Sequence, residues 1–135
     1  MKIKNVVLIE NCKVDAILIK ESLQQHGEQC NIHLMEDGFE AVLFTQSLLE
    51  HKNNETPDLI IANEDLVMIN GGNILSKIKG LSNFYIPVII LTSSGDKAPP
   101  QHNRQTCCFI NKPLEVKEFI SIFKDIKTNW LSPIH

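Results

Sequence analysis

Four apolar runs in this 135-residue chain each end in side chains from which a charged site could be assembled. Glu10-Asn11 follows Val6-Val7-Leu8-Ile9, and Asn63-Glu64-Asp65 follows Leu59-Ile60-Ile61-Ala62. Thr92 closes Val88-Ile89-Ile90-Leu91, and Lys112-Pro113 follows Phe109-Ile110-Asn111. Together they offer three carboxylates, two carboxamides, a hydroxyl and an ammonium, a set suited to holding charge and donating hydrogen bonds. Metal-ligand spacings are missing: Cys12, Cys30, Cys107 and Cys108 form no C-x-x-C pair, and the five histidines form no H-E-x-x-H. The cysteines read as small, largely buried apolar residues. Adjacent Cys107 and Cys108 on a strand would face opposite ways, which makes a redox role for them the minor reading.

The elements that must position these residues alternate. The first run is continuous and apolar, as a strand buried on both faces requires. From Val14 to about His26 the chain reads as a helix with Val14, Ile17 and Leu18 on one side and Lys13, Lys20 and Glu21 toward water, stopped by Gly27. Cys30 to Met35 alternates like a half-exposed strand, and Asp37-Gly38 turns into a helix carrying Ala41, Phe44 and Leu48. After the polar stretch Lys52 to Pro57 comes a second buried run, and Gly71-Gly72 opens a helix with Ile74, Leu75 and Ile78 inward. Pro87 is tolerable only at the start of the fourth strand. Residues 94–105, with Pro99-Pro100, show almost no apolar periodicity, so the fourth helix is expected to be short or irregular. Cys107 to Asn111 is the fifth strand. Val116, Phe119, Ile120 and Phe123 mark the inner face of a last helix running toward Trp130, which reads as an anchor against that helix or a partner.

Five strand-helix repeats imply a parallel sheet covered on both faces. The expected fold is α/β: a flavodoxin-like three-layer sandwich, strand order 2-1-3-4-5, with chemistry at the carboxyl ends of the strands. One domain over 1–135 with no separate output domain is expected from this length with 43% hydrophobic and 21% charged residues. A net charge of −3 with scattered lysines makes nucleic acid or an anionic membrane a poor default partner. The short amino-terminal apolar run and the lack of any long one point to a cytoplasmic protein.

In this order, the segments resemble receiver domains of two-component response regulators over essentially the whole chain. Glu36-Asp37-Gly38-Phe39-Glu40-Ala41, Pro57-Asp58-Leu59-Ile60-Ile61 and Phe109-Ile110-Asn111-Lys112-Pro113 carry the likeness. The family has an acidic pair after the first strand, a phosphoaccepting aspartate after the third, Thr or Ser after the fourth, an aromatic on the fifth and then Lys-Pro. These positions read Glu10-Asn11, Asn63, Thr92, Phe109 and Lys112-Pro113 here. The resemblance also implies a cis bond before Pro113, which costs little for an X-Pro peptide.

Two departures change the chemistry that the resemblance implies. Asn63 is an amide at the acceptor position, with its nitrogen lone pair delocalised, so it forms no stable acyl phosphate. Asn11 replaces a metal-ligating acid, leaving Glu10, Asn11 and Asp65 as a vestigial acidic pocket in which Mg2+ binding is expected to be weak or lost. Lys112 is expected to pair with Glu10 and to hydrogen-bond the carboxamide oxygens of Asn63 and Asn11. Thr92 and Phe109 survive as switch positions, although alone they would read as a strand-end hydroxyl and a core aromatic. Cys12 beside the pocket reads as a passive occupant, open to oxidation if exposed.

The expectation is thus a pseudo-receiver, not an enzyme and without a cofactor, that binds a sensor histidine kinase or downstream signalling protein independently of phosphorylation. A rival reading is a conventional phosphorylated regulator using Asp65 or Glu64. Another is a flavodoxin-like nucleotide binder or enzyme, disfavoured because Gly71-Gly72 is an isolated pair and no loop has phosphate-cradling glycine density.

Overall fold

The computed structural model describes residues 3–24, 30–41, 43–44, 57–67, 86–92, 107–112 and 115–126. Five parallel strands, β1 (Lys4–Ile9), β2 (Cys30–Met35), β3 (Leu59–Asn63), β4 (Val88–Thr92) and β5 (Cys107–Asn111), form one sheet in the order β2-β1-β3-β4-β5. This is the expected flavodoxin-like order, and it leaves β1, β3 and β4 as inner strands. Their apolar runs are buried on both faces, as parallel strands under helices must be. The edge strand β2 is only partly buried, in keeping with its alternating sequence. Pro87 precedes β4 and uses its carbonyl to accept the Ile60 N–H at 3.0 Å, so the missing proline donor costs the ladder nothing.

Side-chain alternation splits the core into two layers. On one face Val6, Leu8, Leu59, Ile61, Ile89 and Leu91 pack against helices α1 (Lys13–Leu23) and α3 (Val116–Ile126). On the other, Val7, Ile9, Ile60, Ala62, Val88 and Ile90 meet Ala41 and Leu66. Residues 38–41 and 43–44 are helical, and a four-residue helix α2 (Glu64–Val67) follows β3 directly. Asp37 caps the 38–44 stretch, its Oδ1 accepting the Glu40 N–H at 2.8 Å. Among the described residues, no helix is long and apolar enough to cross a membrane.

Both long helices differ from the expected faces. In α1 the buried residues are Ala16, Ile19, Ser22 and Leu23, while Val14 and Ile17 are 64% and 56% exposed. Buried Ser22 is satisfied within its own helix, Oγ donating to the Leu18 carbonyl at 2.7 Å. In α3 the buried face is Phe119, Phe123 and Ile126, with the two rings 5.3 Å apart, whereas Val116 is exposed. Full burial of Phe123 contributes up to about 3 kcal/mol. The expected helices after Gly71-Gly72 and around Pro99-Pro100, the stop at Gly27, Trp130 and the bond to Pro113 lie outside the described residues.

Candidate functional site at the carboxyl ends of the strands

Parallel pairing brings the ends of β1, β3, β4 and β5 to one edge of the sheet, and with them Glu10, Asn63, Thr92 and Lys112. Glu10 follows β1 and is completely buried, as are Asn63 and Thr92 almost completely. The Glu10 backbone N–H donates to the Met35 carbonyl at 3.0 Å, extending the β1–β2 ladder and fixing where the carboxylate points. A buried carboxylate must have its charge compensated. Oε2 accepts from the Cys12 backbone N–H at 3.0 Å and from Asn63 Nδ2 at 2.9 Å. Oε1 accepts no well-aligned hydrogen bond among the described residues and instead faces the Lys112 ammonium at 3.0 Å.

The Asn63 carboxamide therefore has its orientation set from both sides. Its nitrogen donates to Glu10, and its oxygen accepts the Asp65 backbone N–H at 2.9 Å, an Asx-type contact at the start of α2. Lys112 does not hydrogen-bond the Asn63 oxygen, and it does not meet Asn11, which is exposed. Its second partner is Asp15, in the first turn of α1, with Nζ 2.7 Å from Oδ2. The expected Lys112–Glu10 pair is present; the expected carboxamide contacts are replaced by an acid that the sequence pattern did not single out. Burial opposes the lysine charge, but the Asp15 hydrogen bond and the nearby Glu10 and Asp15 charges outweigh it, so the Lys112 pKa is raised above the ordinary 10.5.

On the β4–β5 side, the Lys112 backbone N–H donates to the Thr92 carbonyl at 2.7 Å, and the Thr92 hydroxyl donates to Asn111 Oδ1. Phe109 is partly buried and packs on the face that holds Ile90 and Ala62. An open cleft of about 390 Å³ lined by Asn111, Lys112, Glu118, Ser121 and Ile122 brings solvent to this side of the lysine. The Asp65 side chain is exposed, and only its backbone meets Asn63 in the contacts above. Cys12 is exposed rather than buried, whereas Cys30 is buried as expected.

The fold is that of response-regulator receiver domains of two-component signalling, and the strand-end constellation lies where theirs does. The chain is similar to the regulators Rcp1 and RcpA. It is 27% identical to the response regulator Rcp1 of Synechocystis sp. over 134 residues, spanning 97% of this chain and 91% of that protein. The crystal structure of the phosphorylated cyanobacterial phytochrome response regulator RcpA superposes with a TM-score of 0.75 at 26% identity, covering 99% of this chain and 98% of that one. The Mn2+-bound form of Rcp1 gives 0.72 at 25% identity, covering 98% and 97%. No protein-family model matches the sequence.

Proposed function

We propose that this receiver signals by binding proteins and does not itself accept phosphate. The observation that carries the reading is the Asn63 carboxamide, buried at the acceptor position and hydrogen-bonded through its nitrogen to Glu10. An amide offers no anionic oxygen for attack on phosphorus, and its only oxygen already accepts the Asp65 N–H.

The same geometry argues against a divalent ion. Mg2+ and Mn2+ favour sites with several free carboxylate oxygens. Here Glu10 Oε2 already takes two donors, an ammonium lies 3.0 Å from Oε1, and a carboxamide nitrogen faces the carboxylate. Among the described residues, no group of three His, Cys, Asp or Glu could hold a metal ion. This donor set does not fit a hard dication, and binding is expected to be weak.

The partner is a sensor histidine kinase or a downstream signalling protein, and the chain has no enzymatic role of its own. Because RcpA is a phytochrome response regulator, a phytochrome-type sensor kinase is the first partner to try. Vestigial Glu10, Asn11 and Asp65 would serve as fixed parts of the binding fold, with Thr92, Phe109, Lys112 and Pro113 kept as its switch positions.

Intact-mass measurement after incubation with acetyl phosphate and Mg2+, quenched in acid, tests this. The parent should show no phosphoryl adduct, and Asn63→Asp should gain one. An adduct on the parent that disappears in Asp65→Asn would establish the conventional reading, with phosphorylation rerouted to the neighbouring acid.

A further inference from the structure

Among the contacts of Lys112, the shorter is the one that the family pattern does not account for. Asp15 Oδ2 lies 2.7 Å from Nζ, against 3.0 Å for Glu10 Oε1. Its position in the first turn of α1 has a bland explanation, since an acid there complements the helix dipole. That explanation would leave the side chain pointing to water. Instead Asp15 is 22% exposed and joined to a residue 97 positions away, across the end of the sheet.

The neighbouring groups show why the ammonium sits there. The end of β3 presents a donor, Asn63 Nδ2, on the side where an acceptor acid would attract a cation, and the Asn63 oxygen is taken by Asp65. The anionic oxygens within 4 Å of Nζ therefore belong to Glu10 and Asp15 alone among the described residues. Glu10 is further compensated by the Cys12 and Asn63 donors, so the less compensated of the two acids is Asp15.

We propose that Asp15 is the positioning residue for Lys112, making the lysine a latch between the first turn of α1 and the end of β5. An anion entering beside Asn63 and Thr92 could recruit the ammonium only by drawing it off Asp15. The strand-end site and α1 are coupled through this one side chain. The inference stands on the ion-pair geometry and holds whether or not Asn63 prevents phosphorylation.

Lysine ammonium protons are seen by NMR only when hydrogen-bonded and shielded from exchange, so the Lys112 Nζ signal at mildly acid pH and low temperature reads the latch directly. The parent should give a protected signal, assigned by its loss in Lys112→Met. Asp15→Asn should abolish or strongly broaden it, and Asp15→Glu should retain it at a shifted frequency. Glu21→Gln, exposed on the same helix, should leave it unchanged. A double-mutant cycle of Asp15→Asn and Lys112→Met in urea should show coupling of about tenfold in the folding equilibrium constant. A signal unchanged in Asp15→Asn, or unshifted in Asp15→Glu, would overturn the assignment, as would additive effects in the cycle.

Discussion

The two halves of the strand-end site are built on opposite lines. At β1 and β3 a fully buried carboxylate is enclosed by two N–H donors and an ammonium, so every charge is answered from within the protein. Apart from the Lys112 ammonium that the end of β5 sends to the acid side, the groups at β4 and β5 are neutral: the Thr92 hydroxyl turns to the exposed Asn111 carboxamide, and Phe109 packs only partly into the core. The first half cannot lose a member without stranding a buried charge, whereas the second can trade its hydrogen bonds for water. That difference makes the acid side the rigid part of this site and the β4–β5 side the part freer to rearrange.

The largest effect should come from removing the shared cation. Lys112→Met leaves Glu10 buried and Asp15 unpaired, and urea unfolding should show a loss of about 3 kcal/mol. The pH dependence follows from the raised Lys112 pKa. A group whose folded pKa exceeds its unfolded value stabilises fully below the unfolded value, and that contribution is lost as pH rises through the folded one. The stability difference between parent and Lys112→Met should be constant from neutral pH up to the ordinary lysine pKa of 10.5 and shrink in stronger alkali. A difference that grows there would break the pairing account.

The halves can next be compared directly. Asn63→Ala deprives Glu10 of a buried donor and Asp65 of an acceptor, and should cost about 2 kcal/mol. Thr92→Val leaves only the exposed Asn111 oxygen unbonded, and should cost about 1 kcal/mol or less. If the two changes cost the same, the halves do not differ as described. Smallest of all, Val14→Ser on the exposed side of α1 should stay within about 0.5 kcal/mol of the parent, since that residue contributes little to the core.

Much of this was legible in the sequence, for particular reasons. Val6 to Ile9, Leu59 to Ala62 and Val88 to Leu91 are apolar without interruption, and only burial on both faces explains that. Strand order and the meeting of Glu10, Asn63, Thr92 and Lys112 follow from the fold those runs imply. The face of α1 did not follow, because apolar residues occupy positions 14, 16, 17, 18, 19 and 23 and so surround most of the helix. The true inner face includes small Ala16 and polar Ser22, which a search for large apolar residues passes over. Asp15 was missed for a different reason: an acid in a first helical turn has a local explanation, and its partner is set by tertiary approach from β5. The usable signal was arithmetic, since one buried acid and two amides leave Lys112 short of acceptors.

The central claim is that the acid half is complete without a metal, and Mn2+ binding tests it most directly. Water-proton relaxation should be followed during Mn2+ titration of the parent and of the double variant Asn11→Asp, Asn63→Asp. The parent should show no saturable site in the range where the variant, with two acids restored beside Glu10, binds one ion. Stoichiometric binding by the parent at concentrations comparable to those that saturate the variant would contradict the account.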